Sequence, residues 1–185
     1  MVKKVVRKVR RLVRKSKPNS QLAPEESERL LHWFKAVPEL ERIADSERQN
    51  SEHYDGFGVG VSALLRRSDG TTYTVSGANE KKAPGPRQAG DHCAEDCMYH
   101  GDEVIGFVSI APHKIDDFSE FDLGVTISCG HCRKRFRKFD PADGIRSHTR
   151  ARFINPAHRE RPPVELRVDY LLKLCEKKDQ QNGHH

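Results

Sequence analysis

The chain predicts a three-layer α/β/α protein: a mixed central sheet of about five strands covered by helices, preceded by a basic helix or arm. Two observations carry the prediction. Apolar residues alternate on either side of a turn at 68–70, and short apolar runs then alternate with helical or loop segments. A hairpin followed by strand–helix alternation requires both antiparallel and parallel neighbours, and it sets helix starts beside strand ends.

The elements follow in order. Residues 1–17 hold nine Lys and Arg and no acid, so a whole-chain charge of +6 leaves the other 168 residues at −3. Val2, Val5, Val6, Val9, Leu12 and Val13 recur at helical spacing, an apolar stripe opposite a cationic face. Contact with nucleic acid or an anionic membrane, docking on the protein's own surface, and disorder are all open readings, since a short β-branched helix is marginal alone in water. Pro18-Asn19-Ser20 reads as a linker, so residues 1–20 stand apart from a domain at 21–178, with 179–185 a disordered tail. His184 and His185 are set aside from fold reasoning.

Pro24 with Glu25 and Glu26 opens a helix through Leu30, Leu31, Trp33 and Phe34, because proline suits a first turn and acids suit its dipole. Trp33 and Phe34 read as packing residues. Pro38 predicts a break, with a second helix through Leu40 and Ile43 to Arg48. Residues 56–67, in which Val59, Val61, Ala63 and Leu65 alternate, read as a strand, and 71–77 as its antiparallel return. Residues 80–92 are polar and rich in Gly and Pro, so they form a loop. Strands follow at 104–111 and 123–127, then a basic helix at 130–139, weaker strands at 152–155 and 164–168, and a helix at 170–178.

Length fits one domain with a short appendage, and 32% charged residues mean that part of the chain stays solvated. No apolar run approaches the roughly 20 residues that span a bilayer, and no signal-peptide pattern is present, which predicts a cytoplasmic protein. Five cysteines, an odd number at metal-ligand spacing, fit a reducing compartment.

Chemistry concentrates in Cys93-Ala94-Glu95 and Cys129-Gly130-His131-Cys132. Three thiols and a carboxylate are the parts needed to activate water on zinc: three protein ligands, an open fourth position, and a nearby acid to carry protons. A helix starting near residue 92 and another near Cys129 would direct unpaired N–H groups at these anions and lower the thiol pKa values. A closed structural site of Cys93, Cys97, Cys129 and Cys132 is the competing reading, although it leaves Glu95 without a role and requires Cys93 and Cys97, at i and i+4, to turn together. Cys97 otherwise serves as a small hydrophobe facing the core, as does Cys175. His92 is a possible competitor for Cys93, and His131 an outward-facing residue.

From about residue 42 to 175 the chain resembles the cytidine deaminase superfamily, which pairs a (Cys/His)-Ala-Glu segment with a downstream Cys-x-x-Cys. Tyr54-Asp55-Gly56-Phe57-Gly58-Val59-Gly60 is similar to the start of the first strand in free-nucleoside cytidine deaminases. Gly77-Ala78-Asn79 is similar to their Gly-Cys-Asn, and Cys129-Gly130-His131-Cys132-Arg133 to their Cys-Gly-x-Cys-Arg. The resemblance implies Cys93, Cys129 and Cys132 as zinc ligands and Glu95 as the proton carrier of a hydrolytic deamination. It further implies Phe57 on the pyrimidine ring, Asn79 on a ribose hydroxyl, and the backbone around Ala94 and Ser128 on the base. Arg133 is the candidate cation offsetting the thiolates.

The implied substrate is a cytosine nucleoside or related aminopyrimidine compound, converted to a carbonyl with release of ammonia, by an enzyme that is often a homo-oligomer. Lys81 stands where the nucleoside enzymes place a ribose-binding glutamate, and Glu80 comes one residue early, which puts ribose recognition in question. A polynucleotide cytosine deaminase and a non-catalytic zinc-stabilised interaction module are the alternatives.

Overall fold

The computed structural model describes residues 23–51, 58–80, 92–112 and 130–182, the last range without the side chains of residues 130 and 177–182. Phe57, Lys81, Ser128, Cys129, the strand expected at 123–127 and the basic arm lie outside the described residues. No described helix is long and apolar enough to cross a membrane.

Two compact units, Met1–His32 and Trp33–His185, share the helix α1 (Pro24–Gln49). In the first unit Glu25 and Glu26 sit in the opening turn, where the helix dipole favours negative charge, and Arg29 donates to Glu25 at 3.1 Å.

The second unit is built on a five-stranded mixed sheet in the order β2-β1-β3-β4-β5. Its strands are β1 (Gly60–Arg66), β2 (Thr72–Ala78), β3 (Glu103–Ile110), β4 (Arg150–Ile154) and β5 (Val164–Arg167). β1 runs antiparallel to both β2 and β3, β3 is parallel to β4, and β4 is antiparallel to β5. The crossover from β3 to β4 carries α2 (Gly130–Phe136), while α3 (Val168–Asn182) follows β5 without a break.

β1 lies between two neighbours and is buried on both faces, so its side chains divide between two cores. Val61, Ala63 and Leu65 join Phe107, Phe153, Phe136 and Leu171 in the core on one face, towards α2 and α3. Leu64 joins Trp33, Leu40, Ala44, Ile105 and Val108 on the other, under α1. The register of β3 on β1 slips between Leu64 and Leu65, which face Gly106 and Val104. Ile105 is the extra residue, and for that reason Val104 and Phe107, three apart, point into the same core.

Pro38 does not end the first helix, contrary to the sequence expectation. Trp33, Leu40 and Ala44 are buried on one face across the proline, and Pro38 itself is exposed. An interior proline costs about 3 kcal/mol, whereas full burial of a side chain such as Leu40 returns about 1.5–3 kcal/mol each, so the packed face keeps the helix whole. Trp33 is fully buried and donates its indole N–H to Glu165 at 3.1 Å, but Phe34 is 60% exposed and is not a packing residue. The final helix is longer than the expected 170–178, and its last turn enters the stretch read as a tail.

α1 crosses β1 at backbone contact. A Cβ placed on Gly60 would stand 1.9 Å from the Ala44 carbonyl oxygen and 2.4 Å from the Arg48 nitrogen. Neither atom belongs to a movable side chain. Gly60→Ala is therefore expected to destabilise the protein by about 3 kcal/mol or more, read from the urea midpoint at unchanged slope.

Candidate metal centre

The residues at 93–98 form a single 3-10 turn, Ala94–Met98, where an α-helix was expected. Cys93 caps it in extended conformation. Its backbone N–H donates to the Asp96 carboxylate at 2.9 Å, and the Asp96 N–H returns to the Cys93 carbonyl at 3.0 Å. Met98, fully buried in the core, pulls the other end inward, and Tyr99 already leaves helical geometry. With Gly101 at φ 85° and β3 starting at Glu103, no length remains for α-helical turns.

The turn lies on β1 and β2 because β2 presents a glycine there. A Cβ on Gly77 would meet the Cys97 Cβ at 3.0 Å and the Ala94 carbonyl oxygen at 3.2 Å. The close seat buries Ala94 to 1% exposure and Glu95 to 5%.

Cys132 arrives from α2, where it is fully buried, and Phe136 one turn later packs 5.8 Å from Phe107. The consequence is a three-donor cluster: the Sγ atoms of Cys93 and Cys132 and a carboxylate oxygen of Glu95 all lie within 4.8 Å of one another. Cys129 lies outside the described residues, as do Phe57 and Ser128. Among the described residues the cluster contains no histidine: His131 is exposed on α2, and His92 is exposed with its backbone paired to Glu80. Arg133 is half-buried on α2.

Cys97 is not in the cluster. It turns towards Gly77, and burial, followed by the negative charges of Glu95, Glu47 and Asp96, pushes its thiol up to about 12. Cys175 is buried in the core. Asn79, just beyond β2, accepts the Val59 N–H on Oδ1 at 2.6 Å and the Ser51 hydroxyl at 3.0 Å. That side-chain oxygen ties the end of α1 to the approach of β1.

Three residues near the cluster carry no sequence signal of their own. Arg135 on α2 places its guanidinium 3.5 Å from the centroid of the Tyr99 ring and 3.9 Å from Asp96 Oδ1. Asp143 holds that guanidinium with two hydrogen bonds of 2.7 Å. The Tyr99 hydroxyl is buried with no hydrogen-bond partner among the described residues. Burial, then the charges of Cys132 and Glu95, pushes its phenol well above the ordinary range, against the pull of Arg135. Only hindsight gives Asp96 and Arg135 a pattern: each stands three residues after a cluster cysteine.

Fold and site together define an α/β/α protein with a Cys–Glu–Cys cluster, Glu95 and Cys132 buried and Cys93 half-buried, between a sheet-bound turn and a crossover helix. No family model matches the chain, and no curated protein matches it. Among solved structures it is similar to a cytidine deaminase from Burkholderia pseudomallei, at 17% identity over 70% of this chain and 91% of that one, TM-score 0.46. It is likewise similar to cytidine deaminases from Mycobacterium leprae (20% identity, 74% and 96% covered, TM-score 0.45) and Mycobacterium tuberculosis (19%, 70% and 87%, TM-score 0.43).

Two measurements follow from the electrostatics. The folded-state pKa of Asp143 is lowered, by the Arg135 hydrogen bonds first and then by the charges of Arg135 and Lys138. Its contribution to stability is complete above the ordinary carboxylate pKa of about 3.9 and is lost as pH falls through the lower folded value. The stability difference between the wild type and Asp143→Asn should therefore be flat from neutral pH to about 5 and shrink below about 4, in urea melts across pH. Cys97 should resist iodoacetamide at pH 8 in the folded protein, while the unfolded chain is modified at all five cysteines, as mapped by peptide mass.

Proposed function

We propose that the protein is a zinc-dependent hydrolytic deaminase, which converts the exocyclic amine of a cytosine nucleoside or related aminopyrimidine compound to a carbonyl. The observation that carries this reading is a buried carboxylate, Glu95, within 4.8 Å of two thiol sulfurs supplied by separate elements. That donor set fits zinc, which accepts thiolate sulfur, and does not fit magnesium or calcium, which take oxygen ligands. Cys93 and Cys132 would hold the ion, with Cys129 the third ligand implied by the Cys-Gly-His-Cys spacing. Zinc bound there supplies Lewis acidity, which makes water a competent nucleophile near neutral pH.

Glu95 is the group that moves protons. Its carboxylate takes a proton from the attacking water and delivers it to the ring nitrogen beside the amine-bearing carbon. The second water proton is then carried to the departing amine, so that one water is consumed and one ammonia released for each carbonyl formed. Burial in the turn keeps bulk water from competing for these protons. The backbone of Ala94, in the floor beside Gly77, and that of Ser128 are the proposed contacts to the base, with Phe57 on its face and Arg133 offsetting thiolate charge. Asn79, whose side-chain oxygen holds Val59 and Ser51, is the proposed contact to a sugar hydroxyl.

The seat of Cys97 against β2 favours this reading over a closed four-thiol structural site. One observation favours a polynucleotide as the carrier of the base: Lys134, Arg137 and Lys138 are exposed on the helix that carries Cys132 and on the turn after it. Conversion in single-stranded oligonucleotides with steep salt dependence is the outcome expected of that second reading, and turnover of small molecules alone removes it.

Glu95→Gln tests the leading reading. The variant is expected to retain zinc at the wild-type ratio, measured by elemental analysis, and to lose ammonia release from the responsive nucleoside or aminopyrimidine by about 100-fold to 10,000-fold. Retained turnover would refute the role given to Glu95.

A further inference from the structure

The cluster draws on two elements far apart in sequence, and metal-site donors need a support that sets their spacing. On one side Cys93 and Glu95 belong to the 3-10 turn at Ala94–Met98; on the other Cys132 belongs to α2. Arg135 joins the two. From α2 its guanidinium covers the ring of Tyr99, the residue that ends the turn, at 3.5 Å, and approaches Asp96 Oδ1 at 3.9 Å. Asp96 in turn holds the Cys93 N–H through its other oxygen at 2.9 Å. Asp143 fixes the plane of the guanidinium by a two-toothed pair, 2.7 Å at each nitrogen. A planar guanidinium can hold a carboxylate along its edge and an aromatic ring against its face at the same time, which an ammonium cannot do.

Phe136, the residue after Arg135, packs α2 into the core against Phe107. Cys132 is therefore held from two directions, by Phe136 four residues on and Arg135 three residues on. We propose that Arg135 is a positioning residue: through Tyr99, Asp96 and Asp143 it presets the approach of Cys132 to Cys93 and Glu95, so that the ion meets donors already in place. This inference rests on the metal reading above. It assigns Arg135 no contact with substrate.

The test uses the full-length protein, stripped of metal and titrated with zinc against a chromophoric chelator, together with the visible absorption of the cobalt-substituted form. Arg135→Lys and Arg135→Ala should each weaken zinc binding by about 10–100-fold and alter the cobalt spectrum, the loss typical of removing a support behind metal ligands. Tyr99→Phe, which keeps the ring face, should bind zinc within about threefold of wild type, because the stacking needs the ring and not the hydroxyl. Should Arg135→Ala fail to fold, Arg135→Lys decides the matter alone.

Wild-type zinc affinity and an unchanged cobalt spectrum in Arg135→Lys would overturn the proposal, since the charge without the planar clamp would then be enough. If the wild-type protein itself bound no zinc, the metal reading would fall and the inference with it. Tight wild-type binding with unaffected variants would remove only the role of Arg135.

Discussion

The close seating of the 3-10 turn on β2 governs what the site can be. Gly77 lets the Ala94 carbonyl and Cys97 come down on the strand, and this contact carries Glu95 from a surface turn to a buried position. A carboxylate placed there is costly unless something charged or hydrogen-bonding answers it. Its neighbours here are the sulfurs of Cys93 and Cys132, within 4.8 Å.

The same seating explains why neighbouring cysteines differ. Cys93 caps the turn at its open end, whereas Cys97, four residues on, faces the strand and keeps its proton over the ordinary pH range. In an α-helix the two would lie on one face. The contrast between a donor and a packing thiol is set by backbone geometry and not by residue type.

Much of the scaffold was legible in the residues. The hairpin declared itself through the alternation at Val61, Ala63 and Leu65 and the Ser68-Asp69-Gly70 turn, and the apolar run before Ala111 matched a strand buried on both faces. Pro38 misled because local propensity says nothing of the face that Trp33, Leu40 and Ala44 bury together. The turn at Ala94–Met98 was read as a helix start because a first turn would favour the anionic Cys93 and Glu95; what stops it is the nearness of β3. Cys93, Glu95 and Cys132 stand out as a chemical set in the sequence, and the structure brings those three together. Tyr99, Arg135 and Asp143 did not stand out, because a cation on a ring and a two-toothed ion pair depend on the crossover folding back over the turn. Of such contacts periodicity keeps no record.

The bridge between Glu80 and His92 has a consequence for how this scaffold can diverge. Their backbones exchange two hydrogen bonds of 3.1 Å, closing the base of the segment 81–91 immediately before Cys93. The ends of that segment are fixed to each other whatever its content, so the entropy of closing it grows only with the logarithm of its length. Residues can be gained, lost or exchanged between the two anchors while the strain stops at the bridge. A change of length or composition between residues 80 and 92 therefore need not displace the turn that begins at Cys93.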